Sequence, residues 1–192
     1  GQYSTIAGGK SNSISGTQGY ALTGSFIGGG EGNTINQAEC SHILGGQNNI
    51  LSGSYDGAEE GPGLSQIKWS SILGGCGNSI TGSSNSGGIT DGNSGCFHTI
   101  IGGECNSIFK NSRNNFIGGG FCNSIERKDG TGCNIIVGGR RNRITCGYLN
   151  NIVGGKNNCI VGDTYASFIG AGIGNCIKGG DSSKTIVGGE FN

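Results

Sequence analysis

The chain has little charge, few large apolar residues and almost no proline. Only 12% of its 192 residues are charged and 32% are hydrophobic, and Pro62 is the one proline. Low charge separates it from the usual disordered chain, which is charge-rich. So small an apolar share does not build an ordinary compact core. Basic and acidic residues number 12 each, so no broad pull on nucleic acid or on an anionic membrane follows, and no nucleic-acid partner is expected. No apolar run of about eighteen residues occurs, so no direct membrane insertion is expected. Cys-x-x-Cys is missing, and with it the usual redox and zinc signatures. There is no Asn-x-Ser/Thr acceptor for N-glycosylation.

What the chain has instead is glycine, 44 residues of it, not placed at every third position as collagen requires. The glycines belong to a block, Ile-x-Gly-Gly-x-x-Asn-x-Ile, whose clearest copy is Ile152 to Ile160. Its first isoleucine recurs at Ile6, Ile27, Ile43, Ile72, Ile100, Ile117, Ile136, Ile152, Ile169 and Ile186. Successive spacings are 21, 16, 29, 28, 17, 19, 16, 17 and 17 residues. A period near 17 with occasional insertions is the mark of a solenoid.

Helix does not fit, because paired glycines interrupt every candidate at about 1 kcal/mol each. Ile and Val favour strands. From Ile152 the apolar anchors fall at 152, 160, 169, 177 and 186, so each coil carries two short strands. The expected fold is all-β, a parallel β-roll or β-solenoid with coils of about 17 residues. One repeat domain is expected over 1–192, a fragment of a longer chain, with insertions at 15–25, 51–70 and 81–98. Residues 43–50 read as a shortened copy that has lost one residue before Asn48.

The block asparagines are assigned to Asn12, Asn33, Asn48, Asn78, Asn106, Asn123, Asn142, Asn158, Asn175 and Asn192. Asparagine tolerates left-handed backbone and its amide bonds to turn backbone. A structural turn role is expected for all ten, with the amides able to stack as a ladder.

The residue after the first isoleucine is Ala7, Gly28, Leu44, Leu73, Ile101, Gly118, Val137, Val153, Gly170 or Val187, never charged. Neighbours on a strand point to opposite faces. If isoleucine faces inward, a second buried surface is implied, and the simplest cover is another copy of the chain. Phe26, Phe116 and Phe168, just before the isoleucine, fit such an interface.

Nine cysteines leave an odd one. Cys105 and Cys122 share a repeat position one coil apart, as do Cys159 and Cys176. Stacked strands are about 4.8 Å apart, within disulfide reach. Free thiols are the first reading and coil-to-coil disulfides the second.

No pattern of residues points to a cofactor, a metal or a catalytic centre. Glu59 and Glu60 are the only adjacent carboxylates, and nothing selects a more distant pair such as Glu104 and Asp129. His42 and His98 each lie just before a strand, where repeat facing accounts for them. A ligand, if there is one, is expected first on the stretch 51–70, around Tyr55, Asp56, Glu59, Glu60 and Trp69, where aromatics and carboxylates suit a sugar. Arg140, Arg141 and Arg143 come second: a solvated coil edge, or a contact for phosphate or acidic glycan.

The stretches Ser25 to Ile35 (SFIGGGEGNTI) and Ser71 to Ile80 (SILGGCGNSI) resemble the head repeats of YadA-like trimeric autotransporter adhesins. Similar repeats occur in phage and viral fibres. The resemblance implies a parallel β-roll, three chains side by side, an extracellular, cell-surface or virion location, and attachment to a host glycan or protein. Two alternatives stand beside it: a monomeric solenoid binding an ordered lattice such as ice or polysaccharide, and a tailspike-type glycan depolymerase.

Overall fold

A computed structural model describes residues 3–16, 23–53, 67–82, 96–109, 113–126, 132–180 and 183–192. The chain is a parallel β-solenoid. Among the described residues, ten two-residue strands from Thr5–Ile6 to Thr185–Ile186 stack in chain order as one sheet. Nine three-residue strands from Ser13–Ser15 to Cys176–Lys178 stack in the same order as a second. All pairings are parallel and in register, isoleucine over isoleucine, for example Ile100 over Ile117 and Ile108 over Ile125. A small third pairing joins Ala38–Glu39 to Ile67–Lys68.

The core follows from the strand period of two. The middle residue of each second-sheet strand and the last residue of each first-sheet strand face each other inside the coil. Both files are isoleucine apart from Leu51, and from Ile27 to Ile169 every member is fully buried. A buried side chain of this size gives about 1.5–3 kcal/mol, so one pair per coil is a thin core. The rest of the cohesion comes from hydrogen bonds.

Those bonds centre on a column of asparagines. In the interior copies each asparagine is buried. Asn123 shows the pattern. Its Nδ2 donates to the carbonyl of Gly119 in its own turn at 2.9 Å and to that of Gly139 in the next coil at 2.9 Å. Nδ2 also lies 3.1 Å from Asn106 Oδ1, which accepts the Asn123 backbone N–H at 3.0 Å. Asn123 Oδ1 in turn accepts from the backbone N–H of Asn142 at 2.9 Å. Donor and acceptor are both used, so the polar group is buried without an unmade bond. The chain of backbone-to-Oδ1 bonds runs unbroken from Asn12 to Asn192.

Two expectations need correction. The third copy has lost no residue. Its column member is Asn49, buried, and Leu51 takes the isoleucine place opposite Ile35 and Ile80. Asn48 is exposed at φ 54°, one position earlier. The physical reason is general: the column asparagine is not the left-handed residue. The residue before it is, as at Ser11, Cys105, Cys122, Arg141 and Asn157. The stretch 51–70 is also regular at both ends, with Ile50–Ser52 and Ile67–Lys68 in strands.

A second polar column lies on the opposite turn, two residues before each first-sheet isoleucine. There Ser41, Ser70, His98, Asn115, Asn134, Asn150 and Ser167 are buried, and from Ser41 to Asn150 each side chain accepts the next one's backbone N–H at 2.9–3.3 Å, the series ending at Ser167. His98 therefore has its place as one step of this column, through Nδ1. His42 is half-buried on a strand, between Phe26 and Ser71.

The glycine pair divides its labour. A Cβ on Gly139 (φ 90°) would sit 2.3 Å from the carbonyl oxygen of Gly155 and 2.6 Å from Asn142 Nδ2. A Cβ on Gly138 would meet nothing within 4 Å, and Ala171 already occupies the equivalent place in another coil. Gly139→Ala should cost at least about 3 kcal/mol of unfolding free energy, and Gly138→Ala less than about 0.5 kcal/mol, in denaturant titrations.

The column makes a pH prediction. Asn123→Asp removes the amide donors and turns a carboxylate toward the Gly119 and Gly139 carbonyls. Its folded pKa is then raised above the unfolded value of about 3.9. The variant should come closest to the parent below about pH 4 and lose stability as pH rises above it. Equal destabilisation at acid and neutral pH would contradict this.

Candidate functional site

The outer face of the first sheet carries a file of exposed aliphatic residues built by the repeat. Residues before and after each isoleucine both point outward there. Leu44, Leu73, Ile101, Val137, Val153 and Val187 form most of one file, with exposures from 41% for Leu73 to 79% for Val187 in the single chain. The sequence-based expectation of a second buried surface is thus an exposed apolar surface here. Contiguous patches of this kind mark contact sites on soluble proteins.

The face is also level. Where the preceding residue is Phe26, Phe116 or Phe168, the following one is Gly28, Gly118 or Gly170. The half-buried ring leans along its own strand into the space a side chain would take. A Cβ on these glycines would be 3.3–3.4 Å from the ring Cε1 and 2.3 Å from the carbonyl oxygens of Leu44, Val137 and Val187. Where the preceding residue is His, Ser, Asn or Thr, the following one is aliphatic, as in Ser71 and Leu73 or Asn151 and Val153. Bulk is exchanged between the two files in most rungs, the rung of Ile135 and Val137 being large at both places.

The outer face of the second sheet differs. Ser13, Thr34, Ser79, Ser107 and Ser124 share one file, interrupted by Ile50 and continued by Arg143, Cys159 and Cys176. Cys159 and Cys176 are joined as a disulfide across a Cα separation of 4.6 Å. The free-thiol reading is corrected for this pair: in-register stacking sets both side chains on the same face of adjacent strands. Cys40, Cys76, Cys105, Cys122, Cys133 and Cys146 are free.

Of the predicted ligand residues, Tyr55, Asp56, Glu59 and Glu60 lie outside the described residues. Trp69 stands on a left-handed corner at φ 48°, about half exposed, and its ring stacks on Phe97 at 5.1 Å between centroids. Glu39 and Lys68 form an ion pair at 2.9 Å within the small third pairing that leads into this corner. The rings lie nearly parallel, 16° apart, so the stack presents edges rather than an open ring face on the side between them. Farther along the same side Tyr148 packs against Tyr165 at 5.7 Å.

The three arginines do not converge. Arg140 lies over the Phe121 ring, 5.3 Å from its centroid. Arg141 is the left-handed corner residue at φ 56°. Arg143 is on the outer face of the second sheet, paired with Glu126 at 3.3 Å. Both the ring and the carboxylate lie one coil earlier, so part of this charge is answered within the solenoid. Among the described residues no cluster of three or more His, Cys, Asp or Glu side chains is arranged to hold a metal ion.

Sequence reasoning weighed the two positions flanking isoleucine but not their mutual compensation. It also passed over the second polar column, because its members vary in type. The available signal was polarity two residues before each isoleucine.

The chain matches no model of a known protein family. A search of curated proteins likewise returns no match. The fold and the surface are therefore the ground for any functional reading.

Gly118→Val should destabilise the chain by more than about 2 kcal/mol, because its Cβ has no room. Val137→Ala, on the same file, should cost less than about 1 kcal/mol in a dissociated chain. Thermal or denaturant unfolding at low protein concentration checks both.

Proposed function

We infer that this chain is a structural and attachment module whose first-sheet face packs against further copies of itself. The observation that supports this reading is the level apolar file from Leu44 to Val187. Each half-exposed Leu, Ile or Val gains roughly 1 kcal/mol on being covered. Association costs about 4–15 kcal/mol, so several such residues along one face have an effect that scattered residues lack. A second copy fits because it presents the same level surface with the same rung spacing. Side-by-side packing then yields a stiff, closed bundle rather than an open-ended strand addition.

Three copies is the number suggested by the resemblance to YadA-like head repeats. In this reading the module belongs to a trimeric fibre or surface adhesin. The corner of Trp69 and Phe97 stays outside the covered face and is the first place for a host glycan or protein contact. A lattice-binding role is the second reading, supported by the hydroxyl file Ser13, Thr34, Ser79, Ser107 and Ser124 on the other sheet. The break at Ile50 and the change of chemistry from Arg143 onward place it second.

Light scattering of the intact chain at micromolar concentration should give a trimer near 58 kDa, three times the 19.3 kDa chain. Val153→Asp combined with Leu73→Asp should give a folded, dissociated chain. A strictly 19.3 kDa parent particle would overturn self-association. A different closed number would keep the covered face and overturn the trimer. Thermal hysteresis by a monomeric parent would favour the lattice instead.

A further inference from the structure

Each coil passes through its left-handed corner just before the column asparagine. In two successive coils that corner is cysteine, Cys105 at φ 56° and Cys122 at φ 53°. The coils are locked in register on either side. Glu104 bridges to Phe121 before the corner, and Ser107 pairs with Ser124 after it. The Cys122 backbone N–H donates to the Glu104 carbonyl at 2.9 Å, and the Asn123 N–H to Asn106 Oδ1 at 3.0 Å. The two Cβ atoms therefore stack with no freedom to slip.

The pair has a precedent within the same molecule. Cys159 and Cys176 are also 17 residues and one coil apart, and they are bonded. Cys105 and Cys122 stand in the same relation but are free, Cys105 exposed and Cys122 half-buried.

We propose that Cys105 and Cys122 form a second coil-to-coil disulfide site, closed by a low-molecular-weight disulfide such as oxidised glutathione and reopened by a dithiol. In the first step one cysteine thiolate attacks a sulfur of the glutathione disulfide. The glutathione S–S bond breaks and one glutathione thiolate leaves. The second cysteine, having lost its proton, then attacks the protein sulfur of the mixed disulfide and expels the other glutathione. Two protein thiols lose two protons and two electrons, and one glutathione disulfide becomes two glutathione thiols.

Geometry chooses the partner. Cys76 is the nearest alternative, one coil earlier, with its carbonyl accepting the Cys105 backbone N–H at 3.0 Å. It belongs, however, to the file of Glu104 and Phe121, not to the corner file. The site lies on the turn between the two sheets. It therefore does not depend on whether the first-sheet face is covered. Surrounding protein holds the Cys105 thiol above the ordinary cysteine range, and the charges of Cys122 and Glu104 add to the effect. Closure should therefore accelerate as pH rises and thiolate forms.

Proteolytic mapping tests the site. The full chain is incubated with oxidised glutathione, alkylated with N-ethylmaleimide, unfolded and cut with trypsin. Cleavage after Lys110 and Arg113 separates the two cysteines, and Cys122 is the one cysteine in 114–127. The expected product is 114–127 joined to 69–110 through Cys105, present also in Cys76→Ser and released by dithiothreitol. Its rate of formation should rise at least several-fold from pH 7 to pH 9. In Cys105→Ser, peptide 114–127 should not be joined to 69–110. Alkylated Cys122 in the oxidised parent, a lasting glutathione adduct on it, or its linkage to Cys76 or Cys96 would each overturn the site.

Discussion

Parallel in-register stacking is the constraint on which everything else depends. It obliges each residue to meet its own counterpart one coil away. A residue type survives in such a stack only if it can satisfy itself. Isoleucine can, because branched apolar side chains nest against copies of themselves. Asparagine can, because one amide holds both donors and acceptor, so that Asn123 bonds upward to Asn142 and back to Asn106 at once. A lysine or glutamate at the same buried place would meet its own charge at strand spacing.

This explains how irregular spacing and regular stacking coexist. From each buried first-sheet isoleucine to the next second-sheet anchor the distance is always eight residues, as from Ile43 to Leu51 or Ile136 to Ile144. The glycine turn, its left-handed corner and the column asparagine lie in that half and allow no change of length. All lengthening falls after the second-sheet strand, as between Ser52 and Ile67 or between Thr81 and Cys96. Serine, histidine and asparagine can alternate in the column beyond it. That turn needs only an acceptor for the next N–H.

The parallel solenoid was legible because the block is short, frequent and punctuated by glycine. Coil length and strand positions followed from isoleucine spacing alone. Asn48 and Asn49 were not distinguishable by type, since both positions suit asparagine for different reasons: one is the left-handed corner, the other the column. Counting eight from Ile43 to an apolar residue would have settled it in favour of Leu51. The disulfide of Cys159 and Cys176 and the free pair Cys105 and Cys122 looked alike in sequence. One pair stands on the outer face of a strand, the other on a turn, and periodicity does not report that difference. The surface was legible only in part. Small or aliphatic residues after each isoleucine were visible, but the exchange of bulk with Phe26, Phe116 and Phe168 emerges only when the ring is seen beside the glycine.

The functional reading rests on the same constraint. A stack that repeats every rung makes a surface that repeats too, and a level apolar surface suits a copy of itself. The most direct test of the central claim is residue-resolved amide hydrogen exchange under native conditions. If the asparagine column holds the stack, the backbone amides of Asn106, Asn123, Asn142 and Asn158 should be as protected as those of Ile101, Val137 and Val153, which bond to the neighbouring strands. They should open with them in a single cooperative event. Asparagine amides that exchange at turn rates while the strand amides stay protected would contradict the account.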